Sequence, residues 1–173
     1  INQNNRYLVG RGLEYTNKQN FVCSFSEIVI YSGENRPLDF AYFNPLGTHL
    51  EIELNNKQNR QGLFSGNGVW QLSLDYMLNN KIRLSSNFLV DEIILDKVQK
   101  NEGKTNGLAG SFSIIWTNEL KNTNIFCSIL QIGSKTFRHG DGYNNFINRN
   151  YPLGWGYGSD AEEYKVGLNW YHL

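Results

Sequence analysis

From residue 69 the chain reads Val-Trp-Gln-Leu-Ser-Leu-Asp-Tyr-Met-Leu, with a large apolar side chain at every second position. Trp70, Leu72, Leu74, Tyr76 and Leu78 share one face, and Gln71, Ser73, Asp75 and Met77 share the other. After Asn79-Asn80-Lys81 the alternation resumes, with Ile82, Leu84, Ser86, Phe88 and Val90 opposed to Arg83, Ser85, Asn87, Leu89 and Asp91. Period-two alternation on both sides of a tight Asn-rich turn predicts an antiparallel hairpin over 69–90. Each arm is about ten residues long, the length with which a tilted strand crosses an outer-membrane hydrocarbon layer. Trp70 and Tyr76, near opposite ends of the apolar face, match the aromatic girdles of such strands.

The same alternation predicts strands over 6–15, 21–31, 108–116, 124–133 and 163–172. Gly10 and Gly12 share one face of the first. In the second the pattern fails at Glu27, which predicts a bulge or a rim position there. The 49–54 stretch is compatible with a short strand or a helical turn. Short turns follow the first, third and fifth strands, and long segments, about 32–68, 92–107 and 134–161, follow the second, fourth and sixth. Short turns at one end and long loops at the other is the asymmetry of outer-membrane barrels, whose long loops are extracellular. The pattern therefore predicts an all-β chain, a single antiparallel transmembrane β-barrel domain of outer-membrane type over 1–173. Seven strands leave edges without partners, so the expectation is the C-terminal portion of a larger barrel.

Charged residues make up 18% of the chain, against roughly 25% in a typical soluble domain. Aromatics reach 14% and Asn, Ser, Gln and Thr carry the polarity, a mixture that suits a barrel with a wet lumen and also a lectin-like sandwich. With 16 residues of each sign the formal net charge is zero, which gives no footprint for nucleic acid or anionic lipid. Cys23 and Cys127 fall inside strands without metal-ligand spacing and read as unpaired, small apolar residues. No apolar run reaches the ~18 residues of a membrane helix. No signal peptide opens the sequence and its first residue is not Met, which leaves a soluble protein or a mature or partial outer-membrane chain as the expectation.

Four groups carry candidate chemistry. Asp91, Glu92 and Asp96 could bind Ca²⁺ or serve acid/base hydrolysis, but alternation sends Asp91 and Glu92 to opposite faces, so a solvated strand end is expected. Arg138-His139-Gly140-Asp141 gathers a cation, a base and an acid without a nucleophile elbow, and reads as a polar extracellular loop. Gly154-Trp155-Gly156-Tyr157-Gly158 alternates glycine with aromatics, whose faces can stack on the apolar C–H face of a sugar ring or plug the barrel mouth. No Gly-Lys-Ser/Thr follows, so it is not a phosphate cradle. Tyr42, Phe43 and Asn44 present the same choice between sugar contact and packing over the barrel.

Three phrases carry a family resemblance. Ser26-Glu27-Ile28-Val29-Ile30-Tyr31 leads to Tyr42-Phe43-Asn44-Pro45-Leu46; the stretch from Trp70 to Tyr76 is followed by Asn87-Phe88-Leu89-Val90-Asp91-Glu92; and Pro152-Leu153-Gly154 precedes Gly158-Ser159-Asp160-Ala161-Glu162-Glu163. Their order and spacing resemble the Wzi-like capsule-assembly barrels and their gliding-motility relatives in the Bacteroidetes. Phe43 stands where that family usually has Leu. The resemblance implies a monomeric barrel in a Gram-negative outer membrane that holds capsular or other surface polysaccharide, and it does not imply an enzyme; membrane lipid is the other expected partner, and no cofactor, metal or nucleic acid is expected. Tyr42, Asn44, Arg138, His139, Asp141, Trp155 and Tyr157 are the expected saccharide contacts. The alternative is a soluble β-sandwich carbohydrate-binding module, in which the same apolar faces would meet each other. A hydrolase using Asp91 or His139 is the third reading.

Overall fold

The computed structural model of the chain describes residues 4–55, 57–58, 66–92, 105–118, 122–140 and 142–171. Seven strands form one antiparallel sheet: β1 (Asn4–Thr16), β2 (Phe21–Glu34), β3 (Asn67–Asn79), β4 (Ile82–Glu92), β5 (Gly107–Asn118), β6 (Thr123–Ile132) and, after a small hairpin of β7 (Ile147–Asn148) and β8 (Tyr151–Pro152), β9 (Ala161–Trp170). The order β1-β2-β3-β4-β5-β6-β9 is that of the sequence, each strand pairing with the next by a turn at one end or a long connection at the other. Among the described residues β1 and β9 are not paired with each other, so the all-β expectation holds as an open antiparallel sheet and no closed barrel is found.

The alternation predicted the strands and their faces, and the chain's turn chemistry fixes the register. Asn17 Oδ1 accepts the backbone N–H groups of Gln19, Asn20 and Phe21 at 2.9–3.0 Å, closing the first turn. Asn79 Oδ1 does the same for Lys81 and Ile82 at 2.9 Å. The turn between β7 and β8 has Arg149 and Asn150 at φ 48° and 68°, the two left-handed residues that a tight primed hairpin requires.

Two expectations change and one open choice is decided. Of the bulge or rim position expected at Glu27, the bulge is absent: β2 pairs continuously with both β1 and β3, and the register shifts lie instead at Met77/Asn79 and Val90/Glu92. The 49–54 stretch is a helix, α1 (His49–Leu54), whose Thr48 N-cap accepts from Glu51 N. The last strand ends at Trp170 rather than at 172.

The registers sort the sheet into two unlike faces. One carries Leu13, Tyr15, Phe25, Leu72, Leu74, Tyr76, Phe88, Phe112, Ile114, Trp116, Ile125, Ile129 and, on β9, Tyr164, Val166, Leu168 and Trp170. All of these are exposed. Tyr15, Phe21, Tyr76, Trp116 and Trp170 gather near the turns, with Phe21 edge-on to Tyr76 at 6.4 Å. Phe25, Phe88, Phe112 and Tyr164 mark the other side of the band. The opposite face carries Gly10, Gly12, Ser24, Ser26, Gln71, Ser73, Asp75, Arg83, Ser85, Asn87, Ser111, Ser113, Ser128 and Lys165.

At the long-connection end both faces are covered. On the apolar face, Tyr42 from the 3-10 helix Phe40–Phe43 and Ile52 from α1 pack on Val29 and Tyr31, with Tyr7 and Val9 beside them. On the polar face, Phe146 and Phe137 from the last connection pack on Ile30 and Val69. Among the described residues no second sheet covers the apolar band, so the stacked layers of a sandwich are not seen there.

Candidate functional site

Two sites emerge at the long-connection end, one on each face. The first is a buried charge cluster under α1. Register places Arg11, Glu27 and Trp70 side by side on β1, β2 and β3. Glu27 Oε1 accepts from His49 N at 3.1 Å, from His49 Nδ1 at 2.7 Å and from Trp70 Nε1 at 2.7 Å. Its Oε2 accepts from Arg11 Nε at 2.7 Å and from the Arg11 Nη2 group. Arg11 Nη1 continues to the carbonyls of Tyr42 and Asn44, at 3.2 and 2.7 Å. Gly68 permits this approach: a Cβ there would overlap the His49 ring. Every lone-pair direction of the carboxylate is used, so the cluster fastens the first connection to the sheet and has no acceptor left for a ligand.

Tyr42 belongs to the same assembly. Its ring stacks on Tyr31 at 4.5 Å, it has no exposed surface, and its hydroxyl donates to Glu53 Oε1 at 3.0 Å. The structure therefore places this expected sugar contact in the core, with no ring face open to a ligand. Asn44 is exposed, but its backbone carbonyl takes the Arg11 guanidinium and its Oδ1 caps Leu46 N at 3.1 Å. Burial, then the neighbouring Glu53 carboxylate, push the Tyr42 hydroxyl above the ordinary tyrosine range. A group with a raised folded pKa stabilises fully below its unfolded value, about 10 for tyrosine, and loses that contribution as pH climbs past it. Urea titrations should therefore show stability falling more steeply above about pH 10 in the native protein than in Tyr42→Phe.

The second site lies on the polar face. Gln71 Nε2 donates to Ser73 Oγ and Asn87 Oδ1, both at 3.1 Å, Ser73 Oγ donates to Asn87 Oδ1 at 2.7 Å, and Asn87 Nδ2 donates to Ser111 Oγ at 3.2 Å. This ladder of amides and hydroxyls crosses three strands. Above it the last connection brings Phe137 and Trp155, and between them lies a cleft of ≈ 260 Å³ lined also by Leu89, Gly110 and Ile132. The Trp155 ring is half-buried and meets Tyr157, itself 82% exposed, at 4.7 Å.

The connection is well anchored. Phe137 N donates to the Asp91 carboxylate, and Thr136 Oγ1 donates to Leu108 O at 2.8 Å. Buried Asn144 joins Ser32 Oγ at 2.7 Å and takes Asn67 Nδ2 on its carbonyl at 3.1 Å. The Arg6 guanidinium donates to the carbonyls of Asn145 and Ile147. Asp91 thus holds a loop backbone. Arg138 Nε donates to Ser159 Oγ at 2.8 Å, and His139 N donates to Asn145 Oδ1 at 2.7 Å. Asp141 and Asp96 lie outside the described residues. Among the described residues no group of three His, Cys, Asp or Glu side chains is placed to hold a metal ion, and Cys23 and Cys127 are free thiols.

Of the expected contacts, Arg138, His139, Trp155 and Tyr157 share one connection over the polar face. Tyr42 and Asn44 sit on the other side of the sheet and do not join them. The ladder was missed because Ser, Asn and Gln at alternate positions look like any solvated face until the register aligns them. Comparison with family models, with curated proteins and with solved structures gives no match for this chain.

Proposed function

We propose that this sheet is part of an outer-membrane β-barrel whose last connection, 133–160, holds polysaccharide non-covalently at the cell surface. The observation that carries the membrane reading is the bare apolar face. Leu13, Val166 and Trp170, at 82%, 80% and 66% exposure, would cost free energy in water and gain it in hydrocarbon. The aromatic rows bounding that face and the small polar residues behind it support the same assignment, lipid outside and a wet lumen inside. The resemblance to Wzi-like barrels agrees with it. The saccharide reading rests on Trp155 over the cleft. An indole face offers stacking to a sugar's C–H surface, while Gln71, Asn87 and Ser111 offer donors and acceptors to its hydroxyls. Repeated weak contacts along a polymer would then add by multivalency.

Two measurements test the proposal. The protein should sediment with outer membranes, resist alkaline carbonate and need detergent to stay in solution; a chain that stays soluble and monodisperse without detergent sinks the membrane reading. Trp155→Ala should weaken binding to surface polysaccharide about thirty-fold, the equivalent of ~2 kcal/mol for a truncated aromatic anchor. An unchanged Kd by calorimetry would dispose of the saccharide reading and leave the barrel untouched.

A further inference from the structure

The described part of the first connection, 38–55, sits on the apolar side of the sheet, not over the polar side. Its buried residues, Tyr42, His49 and Ile52, face the strands. What it turns away from the sheet is also apolar. Phe40 is 77% exposed, Leu46 94% and Leu54 79%, with Phe43 and Leu50 exposed between them. Phe40 and Phe43 pair at 6.0 Å. A polar cap on a soluble loop would not present five large apolar side chains outward.

The position of this segment explains the choice. Along β2 its contacts, Val29 and Tyr31, follow Phe25 by only a few residues, and Glu27 between them is the residue that fastens His49. The apolar outer surface of the segment therefore continues the bare band toward the long-connection end, on the same face. Glu51 and Lys57 form an ion pair at its edge, with the Lys57 side chain 56% exposed and its long stem free to reach water.

We propose that residues 38–54 form an interfacial anchor, a shelf on the outside of the barrel wall. Phe40, Phe43, Leu46, Leu50 and Leu54 enter the boundary between lipid headgroups and acyl chains. The inference rests on the membrane reading above, and its occupant is lipid rather than a protein partner, because the patch is continuous with the band that the same lipid would cover. Burial of the shelf's inner side against the sheet, locked by the Glu27 cluster, holds the outer side at a fixed height, as interfacial elements require.

The test uses the full chain in phospholipid vesicles, with Cys23→Ser and Cys127→Ser as background. Nitroxides are placed by Leu46→Cys and Leu54→Cys on the shelf, by Phe112→Cys in the band and by Gln19→Cys in the first turn. Collision with oxygen, which concentrates in lipid, is compared with collision by a water-soluble nickel chelate. The oxygen-to-nickel ratio at 46 and 54 should exceed that at 19 severalfold and approach that at 112. If 46 and 54 behave like 19 while 112 is lipid-exposed, the anchor is overturned and the barrel stands. If 46 and 54 are shielded from both reagents, a protein covers the shelf, and the anchor is equally overturned. If 112 also behaves like 19, the membrane reading itself fails.

Discussion

Glu27→Ala is expected to lower the unfolding free energy by about 3–5 kcal/mol, because it strips one partner from a buried ion pair and leaves the other charged. Glu27 and the Arg11 side chain are 4% and 13% exposed, so water cannot replace the lost acceptor. The same substitution leaves Trp70 Nε1, His49 N and His49 Nδ1 without the oxygen that now serves all three. The loss should appear first at α1, which the carboxylate ties to β2. The measurement is a urea titration of the folded protein, with hydrogen exchange resolved over 39–55. A double replacement, Arg11→Met with Glu27→Leu, should recover part of the loss, since burying no charge costs less than burying one alone. A change below about 1 kcal/mol in Glu27→Ala would mean that the cluster is solvated and does not hold the first connection.

Ile114→Arg is expected to cost about 2–4 kcal/mol in a bilayer, the penalty for a cation on the lipid face near mid-depth, between the rows marked by Phe112 and Trp116. Its neighbour Ser113 points to the opposite face, beside Ser85 and Ser128, and Ser113→Arg should change stability far less. The contrast has a sign as well as a size. In water an arginine replacing an exposed isoleucine is close to neutral, within about 0.5 kcal/mol. Folding titrations of both variants into vesicles therefore separate a lipid-facing sheet from a soluble one. Equal effects of the two substitutions would contradict the two-sided assignment.

The strands and their faces were legible because period-two alternation is a local property and neighbouring strands are joined in sequence order. Residues 70–90 specify their own partner through the Asn79 turn, and nothing distant is needed to read them. The role of Glu27 was hidden for the opposite reason. A carboxylate on an apolar face looks like an interruption until Arg11, His49 and Trp70 are known to converge on it, and these lie 16, 22 and 43 residues away. For Tyr42 the sequence left both sugar contact and packing open, because an aromatic residue in a connection looks the same in either role. Its stacking on Tyr31 depends on a helical turn folding back over β2, which no periodicity announces. Trp155 and Tyr157 were legible as a pair of aromatics between glycines, but their position above Gln71 and Asn87 follows from anchors at Asp91 and Asn144.

The two open edges of the sheet have a consequence for how it could be completed. In a strictly antiparallel run of seven strands the first and last point the same way, so β1 and β9 both descend from the connections to the turns. A ring that keeps the alternating direction must add an odd number of strands, beginning and ending with ones that ascend. A second copy in the same orientation would meet both edges parallel, and an inverted copy would send its long connections to the opposite side of the bilayer. Under the barrel proposal, parity disfavours closure by a like-oriented copy and the placement of the connections disfavours an inverted one, so strands completing such a ring would differ in sequence from the seven described here.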